Sequence, residues 1–387
     1  MSIVNASVSR RHFLELAGLG LLATGALAAC GGAAAASIAP SASAPAASPS
    51  SAASAASSGA ASAAASAAAS AIPTIPADQP VSITIATGVP SAAFAPIWIA
   101  LDKGYFKAHG LDVKHERIEG VVQANAIVAG DVQIGTVGGT EILDTRVGGS
   151  DLVAIQQATD SPTFEIHAPP SIKNLDDLKG KTLAYTRPGS STDLATRVML
   201  VNAGLKPDQD VKLLAANNMP GILAALESGQ VQAGTMSPPT TVKATAAGFP
   251  KLVGALDEHV PLQQGLIVIK KSYGDDHQDV VYAYLEALME GTRDFFNVPQ
   301  TAIDSIAKYT SSDQKTAKEA YDAMLPAMDP VGIVDPRGLQ TVQKYGKNTK
   351  TKALNVNDAI DNHYMENLKN SGFIAKLGIK TPGGSTK

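Results

Sequence analysis

From Val81 onward, short runs of aliphatic and β-branched residues alternate with stretches whose apolar positions recur at helical spacing. Val81-Ser82-Ile83-Thr84-Ile85 alternates apolar and polar with the period of a strand. Ala95 to Lys107 places Ile97, Ala100, Leu101 and Tyr105 on one face and predicts a helix. Strands are predicted over Leu111 to Ile118, Ile134 to Val137 and Leu152 to Ile155, with helices over Val121 to Ala129 and Thr140 to Val147 between them. A second block opens with a short helix, Leu175 to Lys179, and a strand, Thr182 to Tyr185. The helix Ser191 to Ala203 then aligns Leu194, Val198 and Val201 with Leu205 beyond it. Strands Val211 to Leu214, Ala233 to Met236, Leu252 to Ala255 and Leu266 to Lys270 follow, with helices Gly221 to Glu227 and Thr240 to Ala247 among them. After Ser272 the pattern is helical almost to the end.

Strands alternating with helices predict an α/β protein with mainly parallel sheets covered on both faces. Two such blocks predict two lobes, with the chain crossing at Thr163 to His167 and again at Gly265 to Ile269. Residues 81–166 and 265–380 then form the first lobe and 167–264 the second, and the C-terminal helices pack back on the first. A cleft is expected where the carboxyl ends of the strands of both lobes meet.

The chain before Val81 has a different character. Ser9-Arg10-Arg11-His12-Phe13-Leu14 precedes an apolar stretch ending in Leu27-Ala28-Ala29-Cys30-Gly31. A basic start, a short apolar run and small residues before a cut predict a signal peptide over residues 1–29. The paired arginines resemble a twin-arginine signal. Leu-Ala-Ala-Cys resembles the bacterial lipobox, which would place a lipid anchor on Cys30. Residues 30–80 are dominated by Ala and Ser and carry no charge before Asp78, so they are expected to form a disordered linker. As flexible coil, about 45 residues reach roughly 35–40 Å. Residues 381–387 read as a frayed tail.

The composition narrows the chemistry. Lys and Arg number 31 against 35 Asp and Glu, a weakly acidic balance that argues against nucleic acid as a partner. Cys30 is the single cysteine, so no disulfide and no thiolate metal site is expected. His109, His115, His167, His259, His277 and His363 lack ligand spacing, and no metal is expected. Glu165 and His167 share one side of the first crossing, where they could pair or form a solvated polar face, and the solvated face is the expectation. Neither Gly-x-Ser-x-Gly nor a Walker A loop is present, and no cofactor is expected.

Phe94 to Phe106 (Phe-Ala-Pro-Ile-Trp-Ile-Ala-Leu-Asp-Lys-Gly-Tyr-Phe), His109 to Val113, Ala129 to Gly135 and Val137-Gly138-Gly139 carry a resemblance, in that order. So do Leu175 to Lys181, Arg187-Pro188-Gly189-Ser190-Ser191 and Glu227 to Ala233. Together they resemble the type II periplasmic-binding-protein fold, and within it the nitrate/sulfonate/taurine group that also includes binders of thiamine precursors. The resemblance implies a two-lobed, non-catalytic binder that passes a small-molecule solute to an ABC permease. It further implies an extracytoplasmic, membrane-anchored monomer. Its alternatives are an exported enzyme or ligand sensor on the same fold, or a pyrimidine binder.

Carried over by segment, the resemblance places one ligand wall at Gly88, Ser91, Ala92, Ala93 and Phe94, and another at Gly138, Gly139 and Thr140. The opposite lobe supplies Gly189, Ser190, Ser191 and Thr192, then Met236, Ser237 and Pro238. Gly-Ser-Ser-Thr opens a helix, so its backbone N–H groups and hydroxyls suit a small anion such as a sulfonate or nitrate. Where many relatives read aromatic-acid-Pro, this chain reads Met236-Ser237-Pro238. That departure removes a carboxylate for a ligand amine and disfavours taurine and thiamine-type pyrimidines. Trp98 is read as core, and Phe94 as core or stacking platform.

Overall fold

A computed structural model describes residues 72–382 apart from 77, 160 and 264. The expected signal peptide, the expected lipidation site at Cys30 and most of the Ala/Ser-rich segment and C-terminal tail lie outside the described residues.

Among the described residues, ten strands form two five-stranded sheets. The first has the order β2 (Leu111–Arg117), β1 (Val81–Thr87), β3 (Ile134–Val137), β10 (Leu266–Lys270), β4 (Leu152–Gln157). The second has the order β7 (Lys212–Ala215), β6 (Thr182–Tyr185), β8 (Ala233–Met236), β5 (Glu165–His167), β9 (Lys251–Gly254). In each sheet the first three strands run parallel. The fourth, β10 or β5, pairs antiparallel on both sides. Four of the five strands in each sheet therefore point the same way, and only the strand that enters from the other lobe, β10 or β5, runs against them.

This pairing moves the crossings. The expected bridges at Thr163–His167 and Gly265–Ile269 contain β5 and β10, whose backbones are used by neighbours on two sides. The chain instead passes between sheets at 158–164 and 255–265, and the 166/167 boundary would cut through β5. Ser161 Oγ donates to the Val260 carbonyl at 3.0 Å and ties the two passages together. Glu165 and His167 are not a solvated face: His167 is buried, its Nδ1 donates to the Phe249 carbonyl at 2.8 Å, and its Nε2 lies 2.9 Å from Glu165.

Alternation along the central strands explains the two cores. Val153 and Ile155 of β4 and Ile267 and Ile269 of β10 face one apolar cluster, which also contains the helix Ala95–Lys103 and the C-terminal helices. Leu152, Ala154, Leu266 and Val268 face the other, which continues into the second lobe. Trp98 is buried in the first cluster, stacked on Tyr309 with ring centroids 5.0 Å apart. The predicted helix to Lys107 breaks at Gly104, which adopts φ 74°. The helix Ser191–Asn202 buries every residue from Thr192 to Leu200, whereas Val201 is exposed. That helix is enclosed on more than one side, so a single apolar stripe does not describe it.

Two further features position the site. The helix Pro336–Tyr345 packs on the helix Gly139–Val147 of the first lobe and on Ser191–Asn202 of the second. The folded part also begins earlier than Val81: Ile72 and Ile75 pack on the first lobe, and a Cβ on Gly110 would meet Ile75 at 2.9 Å. Apart from Ile38, these two isoleucines are the large apolar side chains of the otherwise Ala/Ser-dominated segment 30–80.

Candidate functional site

Four chain turns meet at the carboxyl ends of β1, β3, β6 and β8 and enclose a cleft of about 100 Å³. At about 10–15 Å³ of such space for one water, that holds a solute of a few heavy atoms. After β1, the Gly88 N–H donates to Thr136 Oγ1 at 3.1 Å, and Ser91 caps the turn Ala92–Phe94. After β3, Gly138 opens the helix Gly139–Val147 without a side-chain cap. After β6, the loop Thr186 to Ser190 leads into Ser191–Asn202, and Ser237 follows β8.

The two helix openings converge. A Cβ built on Gly189 would lie 3.6 Å from Thr140 Cγ2, and one on Gly138 would lie 2.8 Å from Ser191 Oγ. Both openings therefore bring the positive end of a helix to one small volume.

The second-lobe loop is built around hydroxyls. Thr186 Oγ1 lies 2.6 Å from Thr192 Oγ1 and 2.9 Å from Ser190 Oγ, and those two are 2.9 Å apart. Ser190 also accepts from the Asp193 N–H, so it caps its helix as well as lining the cleft. Asp193, 1 % exposed, accepts the Gly189 N–H at 2.9 Å and Arg197 Nε at 2.6 Å. The Gly189 N–H is thus spent inside the protein.

Of the expected residues, Gly88, Ser91, Phe94, Gly138, Ser190, Ser191, Thr192 and Ser237 line the cleft. Ala92, Ala93, Gly139, Thr140, Gly189, Met236 and Pro238 do not. Ala92 and Ala93 are buried beneath the turn, and Met236 is wholly in the core. A Cβ on Gly139 would strike Leu339 Cδ2 at 2.6 Å, so its bareness serves the close packing of Pro336–Tyr345. Thr140 and Gly189 meet each other instead, and Pro238 leads the turn to the helix Thr240–Ala246. Phe94 is both core and wall: it packs edge-on to Trp98 and borders the cleft beside Gly265.

Other lining residues had no sequence signal as ligands. Val89, Gly120, Val137, Phe164, Met219 and Gly265 supply apolar or bare surface, while Thr136, Thr186, Arg187 and Glu141 supply polar groups. Arg187 Nη1 reaches Glu119 of the first lobe at 3.3 Å and lies over Gly120. Glu141 stands three residues after Gly138; its Oε2 is sealed from solvent and has no hydrogen-bond partner among the described residues. Burial raises its pKa, against a smaller opposing pull from nearby backbone N–H groups and Arg187. Behind Gly88, the wholly buried Gln123 also leaves both ends of its amide without a partner among the described residues. A carboxylate and an aromatic ring thus stand in the cleft after all, supplied by Glu141 and Phe94 rather than by the loop after β8.

Comparisons with known proteins agree with this architecture. The putative binding protein YtlA of Bacillus subtilis is 23% identical over 212 residues, which cover 53% of this chain and 64% of YtlA. The match thus spans less than two thirds of that relative's length. The alkanesulfonate-binding protein SsuA of Xanthomonas axonopodis, solved with MOPS, superposes with a TM-score of 0.60 at 18% identity, covering 73% of this chain and 99% of SsuA. The periplasmic nitrate-binding protein NrtA of Synechocystis superposes with a TM-score of 0.63 at 13% identity, covering 78% and 91%. At these identities the likeness is one of fold: two lobes of the periplasmic-binding-protein type around a cleft. The model of the family described as NMT1/THI5 like matches residues 91–302, more than half of the 387-residue chain, and the protein belongs to that family.

Proposed function

We propose that this protein captures a small solute bearing an oxyanion in its interlobe cleft and delivers it to an ABC permease. The observation that carries the reading is the meeting of two helix openings, at Gly138 and at Ser190–Ser191, across a cleft lined with hydroxyls. Such openings bind anions through N–H groups and the helix dipole, with no full positive charge required. The names of the solved relatives, a sulfonate binder and a nitrate binder, support the same solute class. Capture without turnover is the simplest use of a cleft whose hydroxyls bond to one another rather than to a general base.

The proposal includes an extracytoplasmic monomer tethered through a lipid on Cys30. Cys30→Ala should move the protein from the membrane fraction to the soluble one; continued membrane fractionation would remove the anchor from the proposal.

Solute capture is tested by thermal unfolding against nitrate, sulfonates, carboxylates and pyrimidines. A true solute at about 100 times its Kd adds roughly 2.7 kcal/mol to the folded state. Stabilisation by oxyanions is expected, and a panel that leaves the melting temperature unmoved contradicts the reading.

A further inference from the structure

The chain is acidic overall, with 31 Lys and Arg against 35 Asp and Glu, yet between Asp335 and Asp358 it carries no acid at all. Its basic residues there are Arg337, which pairs with Asp335, and Lys344, Lys347, Lys350 and Lys352. All four lysines are exposed, and none makes an ion pair among the described residues. Elsewhere Lys114, Lys179, Lys251, Lys271, Lys308 and Lys318 each hold an acid. The segment is tied down by its own polar groups. Gln343 Nε2 donates to the carbonyls of Thr351 at 2.6 Å and Leu354 at 2.8 Å, and Thr351 Oγ1 donates to that of Asn348 at 2.7 Å. Acids beside it are engaged: Asp144 of the first lobe accepts from Asn348 at 2.8 Å. Asp208 of the second is held below the usual carboxylate range, chiefly by its hydrogen bond from Arg197 and further by the charge of Lys347. The patch therefore borders both lobes.

We propose that this lysine patch is a docking surface for an anionic phospholipid bilayer. Four uncompensated charges on one short stretch match a dense array of phosphates, and each lysine near such a surface is worth about a fivefold gain in partition. The residues between them are Gly, Asn, Thr and the half-buried Tyr345, whose ring Lys344 Nζ covers at 4.8 Å. The exposed large apolar side chains among the described residues, Val121, Val122, Val201 and Val298, lie elsewhere. A protein partner calls for an apolar centre rich in aromatic residues and Arg, from which Lys is depleted. Strongly hydrated ammonium groups on a polar stretch suit a wet headgroup layer, held by charge at a distance. The patch thus adds a membrane contact that neither the cleft nor Cys30 supplies.

Vesicle flotation tests the assignment on the full chain carrying Cys30→Ala, so that no lipid on Cys30 contributes. Vesicles of phosphatidylcholine alone are compared with vesicles holding about one third phosphatidylglycerol. Salt is set at about 0.1 M and about 1 M, where the screening length falls from about 10 Å to about 3 Å. The readout is the excess of binding to anionic over neutral vesicles, which should be present at the lower salt and absent at the higher. Combining Lys344→Gln, Lys347→Gln, Lys350→Gln and Lys352→Gln should cut that excess by more than about a hundredfold. Combining Lys103→Gln, Lys107→Gln, Lys212→Gln and Lys243→Gln removes the same net charge from exposed, unpaired lysines scattered over four other elements, and should cost no more than a few-fold. All eight side chains are exposed, so melting temperatures should stay near that of the parent. No excess for anionic vesicles, equal losses in the two quadruple variants, or a patch variant that floats like its parent overturns the proposal. Loss of solute uptake by cells carrying the patch variant, with no vesicle binding by the parent, overturns it in favour of an acidic protein partner.

Discussion

Arg187 of the second lobe donates to Glu119 of the first at 3.3 Å across the mouth of the cleft. The guanidinium is about two-fifths exposed and the carboxylate about one quarter, so the pair is a rim contact, screened by solvent and salt. It joins the two halves only when they are close together. Glu119→Gln should therefore accelerate solute release by a few-fold at low salt while shifting overall stability by less than about 1 kcal/mol. Stopped-flow release at two ionic strengths checks this; equal rates for variant and wild type at both would show that the pair plays no part in closure.

Ser190 and Ser191 have separable jobs. Ser190 caps its helix and joins the hydroxyl cluster with Thr186 and Thr192, whereas Ser191 Oγ faces Gly138 of the opposite lobe. Ser190→Ala is expected to cost about 1 kcal/mol of stability. Ser191→Ala should weaken solute binding with the melting temperature nearly unchanged. Calorimetry with paired melting curves distinguishes them, and a stability loss in Ser191→Ala without an affinity loss would reverse the assignment.

Two partly buried titrating groups, Glu141 and His109, give stability a downward slope with pH. Glu141 is an acid whose pKa rises on folding, chiefly through burial, from an ordinary value of 4.5. The folded state holds its proton longer, so the stability it confers is complete below about 4.5 and disappears as pH climbs through the raised value. His109 is likewise raised from 6.5, chiefly by its hydrogen bond to Glu286. Its contribution is complete below 6.5 and is lost as pH rises through the folded value. Glu141→Gln should flatten the lower part of the solute-free curve, and His109→Gln the upper part. Denaturant titrations from pH 4 to 9 read both, and parallel curves for all three proteins would contradict the assignment.

Gly291 shows how tightly the C-terminal helices grip the first lobe. A Cβ there would lie 2.1 Å from the backbone oxygen of Pro96, in the helix Ala95–Lys103. Alanine is worth about 1 kcal/mol more than glycine within a helix, but a backbone atom cannot step aside as a side chain can. Gly291→Ala is expected to destabilise by about 1–3 kcal/mol. A melting temperature at or above wild type would mean that the helices separate more easily than this contact implies.

Much of the scaffold was legible because its signals are local. Ile134–Val137, Thr182–Tyr185 and Leu266–Lys270 announce themselves as apolar runs flanked on at least one side by Gly or Lys, and each of them, like Ala233–Met236, is a strand over the residues read from the sequence. β5 was not legible as a sheet strand. Two of its three residues, Glu165 and His167, are polar, and only pairing with β8 and β9 on both sides encloses Ile166 and His167. The helix openings at Gly138 and Ser190 were readable from Gly and Ser before an apolar period. Glu141 was not, since an acid in a first turn is ordinarily a favourable partner of the helix dipole. Its isolation arises only when the opposite lobe excludes water, and no spacing along one chain encodes that.

The helix Pro336–Tyr345 touches the opening helices of both lobes, and Gln263, on the returning passage, donates to the Asp335 carbonyl at its start at 2.6 Å. Leu339 and Val342 press there against the bare α-carbon of Gly139. Any swing of one half against the other must roll over this oily bearing, whose resistance ionic strength barely touches. Salt would then tune how firmly the jaws latch at the rim, while the axle on which they turn keeps the same stiffness in every buffer.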